Sequence, residues 1–348
     1  MGTRGWRSGI LRTFLLAALL NALPAPAAAR EPSVAHVGVA VTPRNFPAHS
    51  ARDVDRAFAL ATRLGDHAVF IHQWSQLDLA TVRSLMDKAR AAGLEPVIGL
   101  SPTALSGGRK DLDLPFQVRL LAGEPVSFAN PVIRAAFRAA ARELAALAPR
   151  YLCLATEINF LAMQRLDEFL HFATLYKEAY QDVKRVSPGT QVFVSFQWEW
   201  MRILDATEPE RIAEHSEVVD IFRPALDLVG LTSYPAPFHA SPDDLPADYY
   251  AWLYRHIART DAVLLMETGW PTAGAGSEVE QVRFIRRLPE LLRGVRVIGI
   301  EWALLHDVDL PAFDANLNTA GLLTRDGRPK PGLEAFRALR GAVPIAPR

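Results

Sequence analysis

Two glutamates each stand at the end of a short apolar run. Glu157 comes after Leu152-Cys153-Leu154-Ala155 and Thr156, and Glu267 directly follows Val263-Leu264-Leu265-Met266. An unpaired carboxylate beside a buried strand is expensive, so a glutamate in this position needs either a partner or a task. Two carboxyl groups about 5 Å apart suit double displacement at a glycosidic carbon, one serving as acid/base and the other as nucleophile. That chemistry needs their pKa values held apart. Glu157 is expected to be kept protonated by its neighbour's charge and partial burial, while Glu267 stays ionised, helped by a donor such as the Tyr234 hydroxyl. The alternative for both residues is an ion pair with Arg or Lys at the end of a barrel.

Further residues with suitable chemistry cluster at the ends of other apolar runs. Trp74, Trp198, Trp200, Trp270 and Trp302, five of the seven tryptophans, fall there, and Thr156 and Asn159 flank Glu157. Indole faces stack on the apolar faces of sugar rings, while amides and carboxylates bond the hydroxyls. The catalytic candidates are therefore Glu157 and Glu267. The substrate-binding candidates are Thr156, Asn159, Trp74, Trp198, Tyr234, Trp270 and Trp302. For the tryptophans the alternative is that they cap the core. Glu199 and Glu301 are rival carboxylates at the same ends, fit for a sugar hydroxyl or an ion pair.

The elements that must position these residues show in the hydrophobic pattern. Apolar, β-branched runs occur at 36–41, 68–72, 96–100, 151–155, 192–196, 228–232, 262–266 and 297–300. Between them, segments such as 53–64, 79–92, 131–147, 166–186, 248–260 and 278–292 carry apolar residues at helical spacing. Asp53, Asp78, Asn130-Pro131 and Ser277-Glu278 supply helix-start signals. Eight near-continuous apolar strands alternating with helices predict an α/β fold, a (β/α)8 TIM barrel in one domain, whose strand ends converge on one mouth. The runner-up, an open doubly wound sheet, lacks a glycine-rich fingerprint after the first run. The longest connection, from Ser101 to about Val126, carries Ser106-Gly107-Gly108 and the charges Arg109, Lys110, Asp111 and Asp113. It is expected to shape the cleft at that mouth.

Composition narrows the partners. The chain of 348 residues holds 38 Lys+Arg against 38 Asp+Glu, which argues against nucleic acid as a partner. Arg4, Arg7 and Arg12 precede an apolar stretch from Phe14 to Leu23 and the small run Ala27-Ala28-Ala29. This is the layout of a signal peptide over residues 1–29, with 30–348 as the exported barrel, secreted or periplasmic. Its removal leaves 35 Lys+Arg against 38 Asp+Glu, a net charge of −3. The apolar run is too short to span a bilayer, so no stable membrane insertion is expected. The single cysteine, Cys153, excludes an intrachain disulfide and a cysteine-based zinc site, and it reads as a core residue. No metal or other cofactor is expected: Asp314-Ala315-Asn316-Leu317-Asn318 alternates oxygen ligands, but Thr319 stands where a calcium loop needs glycine. The expected partner is a carbohydrate; the sequence does not specify an oligomeric state.

Four segments carry a family resemblance. Leu154-Ala155-Thr156-Glu157-Ile158-Asn159, Gly230-Leu231-Thr232-Ser233-Tyr234-Pro235, Met266-Glu267-Thr268-Gly269-Trp270-Pro271 and Glu301-Trp302 resemble strands four, six, seven and eight of the clan A retaining glycoside hydrolases. Glu-Thr-Gly-Trp-Pro is similar to the nucleophile motif of β-1,3-glucanases, and the Glu-Ile-Asn and Ser-Tyr-Pro runs look closer to endo-β-1,4-galactanases. The ending from Gly321-Leu322-Leu323 through Gly327, Lys330 and Pro331 also resembles the close of such barrels. The resemblance implies Glu157 as acid/base, Glu267 as nucleophile, Tyr234 as the nucleophile's hydrogen-bond partner and Trp302 as the sugar platform. Two positions depart from it. Thr156 replaces the usual asparagine before the acid/base, and His72 and Gln73 stand where an arginine is usual near the end of strand two. The activity implied is retaining hydrolysis of a β-linked glycan; a non-catalytic glycan-binding barrel and a transglycosylase using the same residues are the alternatives.

Overall fold

The computed structural model describes residues 34–207, 217–254, 257 and 261–346, and the signal peptide expected over 1–29 lies outside them. The strands are β1 (His36–Ala40), β2 (His67–Gln73), β3 (Glu95–Ser101), β4 (Tyr151–Cys153), β5 (Gln191–Phe193), β6 (Ser195–Gln197), β7 (Val229–Ser233), β8 (Val263–Thr268) and β9 (Val297–Trp302). All their pairings are parallel, in the order β5-β4-β3-β2-β1-β9-β8-β7-β6. β5 and β6 are the two halves of the fifth apolar run, parted at Val194, whose carbonyl accepts the Gly230 N–H at 3.1 Å. One half pairs with β4 and the other with β7, so the sheet closes. The eight apolar runs of the sequence thus become a (β/α)8 barrel.

The outer layer is built from α1 (Ala51–Leu64), α2 (Leu79–Ala91), α3 (Pro131–Ala145), α4 (Asn159–Gln164), α5 (Leu166–Val186), α6 (Trp198–Thr207), α7 (Glu278–Leu291) and α8 (Pro331–Arg337), with shorter turns between. Side chains that satisfy free N–H groups open them: Asp78 at α2, Asn130 before Pro131 at α3 and Ser277 at α7. At α1 the cap is Ser50, not Asp53. Asp53 lies in the first turn, closing a reciprocal capping box with Ser50 and accepting from Arg44 at 2.5 Å. Of the helix expected over 248–260, Ala251–Leu253 is helical among the described residues.

Strand alternation decides which side chains reach the barrel axis. Along β2, Phe70 and Trp74 face outward, onto Phe58 of α1 and Phe137 of α3. Glycines make room inside: a Cβ on Gly99 would lie 2.6 Å from Met266 Cε, and one on Gly38 2.1 Å from Glu301 Oε2. β8 breaks the alternation. Leu231 and Thr232 are consecutive on β7 but pair with Leu265 and Glu267, so Met266 is the extra residue of a bulge. Strict alternation would send Met266 and Glu267 to opposite faces. The bulge turns both inward, which brings Glu267 to the mouth.

Candidate active site

Glu157 is positioned by the irregular end of the fourth strand. Beyond β4, Leu154 N–H donates to Phe193, Ser195 N–H to Ala155 and Ile158 N–H to Ser195, so the backbone stays paired to the fifth strand as it turns. Glu157 itself takes a left-handed φ of 52°, and its N–H donates to Ser195 Oγ at 3.0 Å. Its carboxylate accepts from Thr232 Oγ1 at 2.9 Å and from Arg109 Nε at 2.6 Å. Arg109 also donates to Ser101 Oγ at 2.7 Å, and it is almost wholly covered.

Glu267 lies across the mouth on β8. The Tyr234 hydroxyl donates to its Oε2 at 2.9 Å. Burial, then the negative charge of Glu157, push Glu267 up to about 7, against the pull of the Tyr234 hydrogen bond and the Arg109 charge. Burial and the two neighbouring carboxylates likewise hold the Tyr234 phenol well above its ordinary value, so it stays a donor. Thr232 links the pair: its backbone is the register partner of Glu267, and its hydroxyl bonds Glu157. Glu157 is ion-paired with Arg109, as the alternative reading has it, and Glu267 is the carboxyl whose pKa burial raises, where the sequence predicts it to stay ionised. Sequence reasoning missed Arg109, whose only signal was its place after Gly107-Gly108 in the longest connection.

A second carboxylate supports this pair from outside the barrel. Glu199 accepts from Gln197 Nε2 at 2.7 Å, Ser233 Oγ at 2.5 Å, Tyr249 OH at 2.9 Å and the Tyr234 N–H at 3.0 Å. Four donors use up its acceptor capacity, and burial raises its pKa. Glu301 faces the axis but runs down it: its Oε1 lies 2.6 Å from His67 Nδ1, and His67 lines a polar cavity at the N-terminal end of the strands with His36, Asp66 and Arg150. Neither is at the mouth as the sequence suggested.

Comparison with known proteins fixes the fold. No protein-family model matches the sequence, and no curated protein matches it. Solved structures do. An exo-β-1,4-mannosidase from Opitutaceae bacterium strain TAV5 superposes with a TM-score of 0.67 at 18% identity, over 89% of this chain and 60% of its own length. A GH5_18 protein from Streptomyces cattleya in complex with GlcNAc gives 0.68 at 22% identity, over 90% of this chain and 82% of its own. A family 39 glycoside hydrolase from the gut symbiont Bacteroides cellulosilyticus WH2 gives 0.58 at 18%, over 87% and 63%. The fold is a (β/α)8 barrel like theirs. Identities this low carry the architecture, and the reading of the site rests on its own geometry.

That geometry corrects most of the expected sugar contacts. Trp74, Trp198, Trp270 and Trp302 are all buried, at 0–1% exposure. Trp302 follows the inward Glu301 and so faces outward, where its ring meets Phe284 and Phe336 and its Nε1 donates to Ala320 O at 2.8 Å. Trp270 packs on the same Phe284, and Trp198 between Tyr249 and Tyr250. They cap the core, as the alternative for them has it. Asn159 is buried too, and its amide exchanges both bonds with the Gln197 backbone, at 3.0 and 2.8 Å, which ties α4 to β6. Thr156 is buried with an unpartnered hydroxyl. Exposed aromatics near the site lie elsewhere: Trp200 and Phe238, 36% and 37% exposed, meet each other, and Trp200 also meets the half-buried Phe160, three residues past Glu157. Among the described residues no group of three or more His, Cys, Asp or Glu could hold a metal ion. Asp314 instead caps a turn through the Leu317 N–H. Cys153 is a buried core thiol, pushed up to about 12 by burial. No helix among the described residues is long and apolar enough to cross a membrane.

Proposed function

We propose that this protein is a retaining glycoside hydrolase acting on a β-linked oligosaccharide or polysaccharide. The observation that carries the reading is the pair Glu157 and Glu267, each bonded by a hydroxyl from the end of β7. In the reaction a Glu267 oxygen attacks the anomeric carbon while Glu157 gives a proton to the departing glycosidic oxygen. Water, deprotonated by Glu157, then cleaves the glycosyl ester and releases Glu267. Thr232 and Tyr234 hold the two carboxylates in place. Trp200 and Phe238 give the nearby surface an apolar face on which a sugar ring can stack. Proteins of similar fold include an exo-β-1,4-mannosidase and barrels in complex with GlcNAc and with Manβ1-4GlcNAc, which puts β-mannosides first among candidate substrates. The leader sequence supports export to the periplasm or beyond.

A second reading, a barrel that binds glycan without cleaving it, is favoured by the Arg109 ion pair on Glu157. One experiment separates the two: hydrolysis of β-mannosides, β-glucans and β-galactans by the wild type, Glu157→Ala and Glu267→Ala. Loss of either carboxylate is expected to cost two or more orders of magnitude, as removal of an acid/base or nucleophile does. Equal rates in all three proteins overturn the assignment, and binding without hydrolysis favours the second reading. Product analysis with added acceptor sugars distinguishes transglycosylation.

A further inference from the structure

Glu157 is covered by a residue for which the proposed reaction has no use. After β3 the chain folds back on itself: Thr103 bridges Leu112, Ala104 N–H donates to Asp111, and Asp113 N–H donates to Pro102. At the tip Gly107, Gly108 and Arg109 are successive left-handed residues, with φ of 68°, 70° and 61°. For a residue with a Cβ that conformation costs roughly 1–2 kcal/mol. What holds Arg109 there is its side chain, sandwiched between Glu157 and Ser101. From outside, Gln164 donates to Gly108 O and Arg165, just past α4, to Lys110 O, so the end of α4 clasps the tip.

On the reading of Glu157 as acid/base, it must hold a proton when the sugar is cleaved, and a carboxylate bonded to a guanidinium holds none. The groups that face Glu157 are Arg109 from this loop, Thr232 and Tyr234 at the end of β7, Glu267 from β8 and Ser195 from β6. Of these only Arg109 is a cation. We propose that Arg109 is a displaceable counter-ion: the 102–113 loop caps Glu157 at the mouth, and its withdrawal lets one proton pass from Glu267 to Glu157, arming the pair for glycosidic cleavage. The step conserves charge and protons. Before it, Glu267 is the acid and Glu157 the carboxylate; after it the two have exchanged, and the pair carries one negative charge throughout. The glycines at the tip give the backbone freedom to move without steric penalty. The raised pKa of Glu267 agrees, since it is the carboxyl that carries the proton while Arg109 is in place.

Carbon NMR of glutamate-labelled protein tests this without any substrate, with Glu157→Gln and Glu267→Gln assigning the two signals. In the wild type, Glu267 is expected to take up a proton near pH 7. In Arg109→Gln, the Glu157 midpoint is expected to rise by about one pH unit or more, a tenfold gain in proton affinity. Arg109→Lys, which keeps the charge, is expected to restore most of the wild-type behaviour, and unchanged melting temperatures exclude unfolding as the cause. An identical Glu157 titration in wild type and Arg109→Gln overturns the proposal. Hydrolysis of an aryl β-mannoside by the same proteins keeps the two readings apart: a shifted titration with no hydrolysis in any protein retains the counter-ion and rejects the glycosidase.

Discussion

The backbone N–H of Tyr234 donates to the carboxylate of Glu199 at 3.0 Å, so a carboxylate outside the barrel fixes the residue that touches Glu267 inside it. Glu199→Gln is expected to disturb this arrangement, because its amide NH2 must face either the Gln197 and Tyr234 N–H donors or the Ser233 and Tyr249 hydroxyls, which would then have to turn and accept. A buried donor left without an acceptor costs about 1–3 kcal/mol. Chemical denaturation is expected to show a loss of this order, with a fall in kcat for the folded fraction.

Tyr234→Phe removes one hydrogen bond from Glu267 and leaves the ring. That bond lowers the Glu267 pKa, so its loss is expected to move the titration of Glu267 further up. A fall in kcat of roughly 10²-fold, the scale of one lost preorganised donor, is expected with little change in KM. A variant with wild-type kcat and titration would show that the phenol does not act on Glu267.

The raised Glu267 pKa also has a sign for stability and for rate. Its value is 4.5 when unperturbed and about 7 in the fold, so the folded chain binds this proton more tightly. Its contribution to stability is fully present below pH 4.5 and is lost as pH rises through about 7. Melting temperatures of the wild type are expected to carry a downward component over this window that Glu267→Gln removes. In the same window kcat/KM is expected to fall on the alkaline side of about pH 7, as the pair loses its last proton.

Two tryptophans should behave oppositely. Trp302→Ala empties a buried site against Phe284 and Phe336 and is expected to cost about 3–5 kcal/mol in stability, with KM unchanged in protein that folds. Trp200→Ala, at an exposed site, is expected to leave stability nearly intact and raise KM for oligosaccharides. Thermal melts beside Michaelis curves check both, and a raised KM for Trp302→Ala alone would return that residue to the cleft.

The sequence by itself determined the barrel and the two carboxylates. Eight apolar runs separated by helical patterns are a local signal, and a closed parallel sheet is what buries such runs on both faces. Glu157, Glu267 and Tyr234 were legible because each stands at a run's end, where chain order alone places it near the mouth. Facing was not legible. Trp302 and Trp270 occupy the right positions in the chain but point into the helix layer, while Glu267 points inward only because Met266 is bulged out of register with β7. Arg109 reaches Glu157 across 48 residues by a loop whose path depends on three left-handed residues and on α4 behind it. A one-residue shift in strand register reverses every side chain beyond it, and a loop's course is set by contacts distant in sequence. Chain order therefore gave the chemistry available at the mouth, while tertiary packing decided which groups meet there.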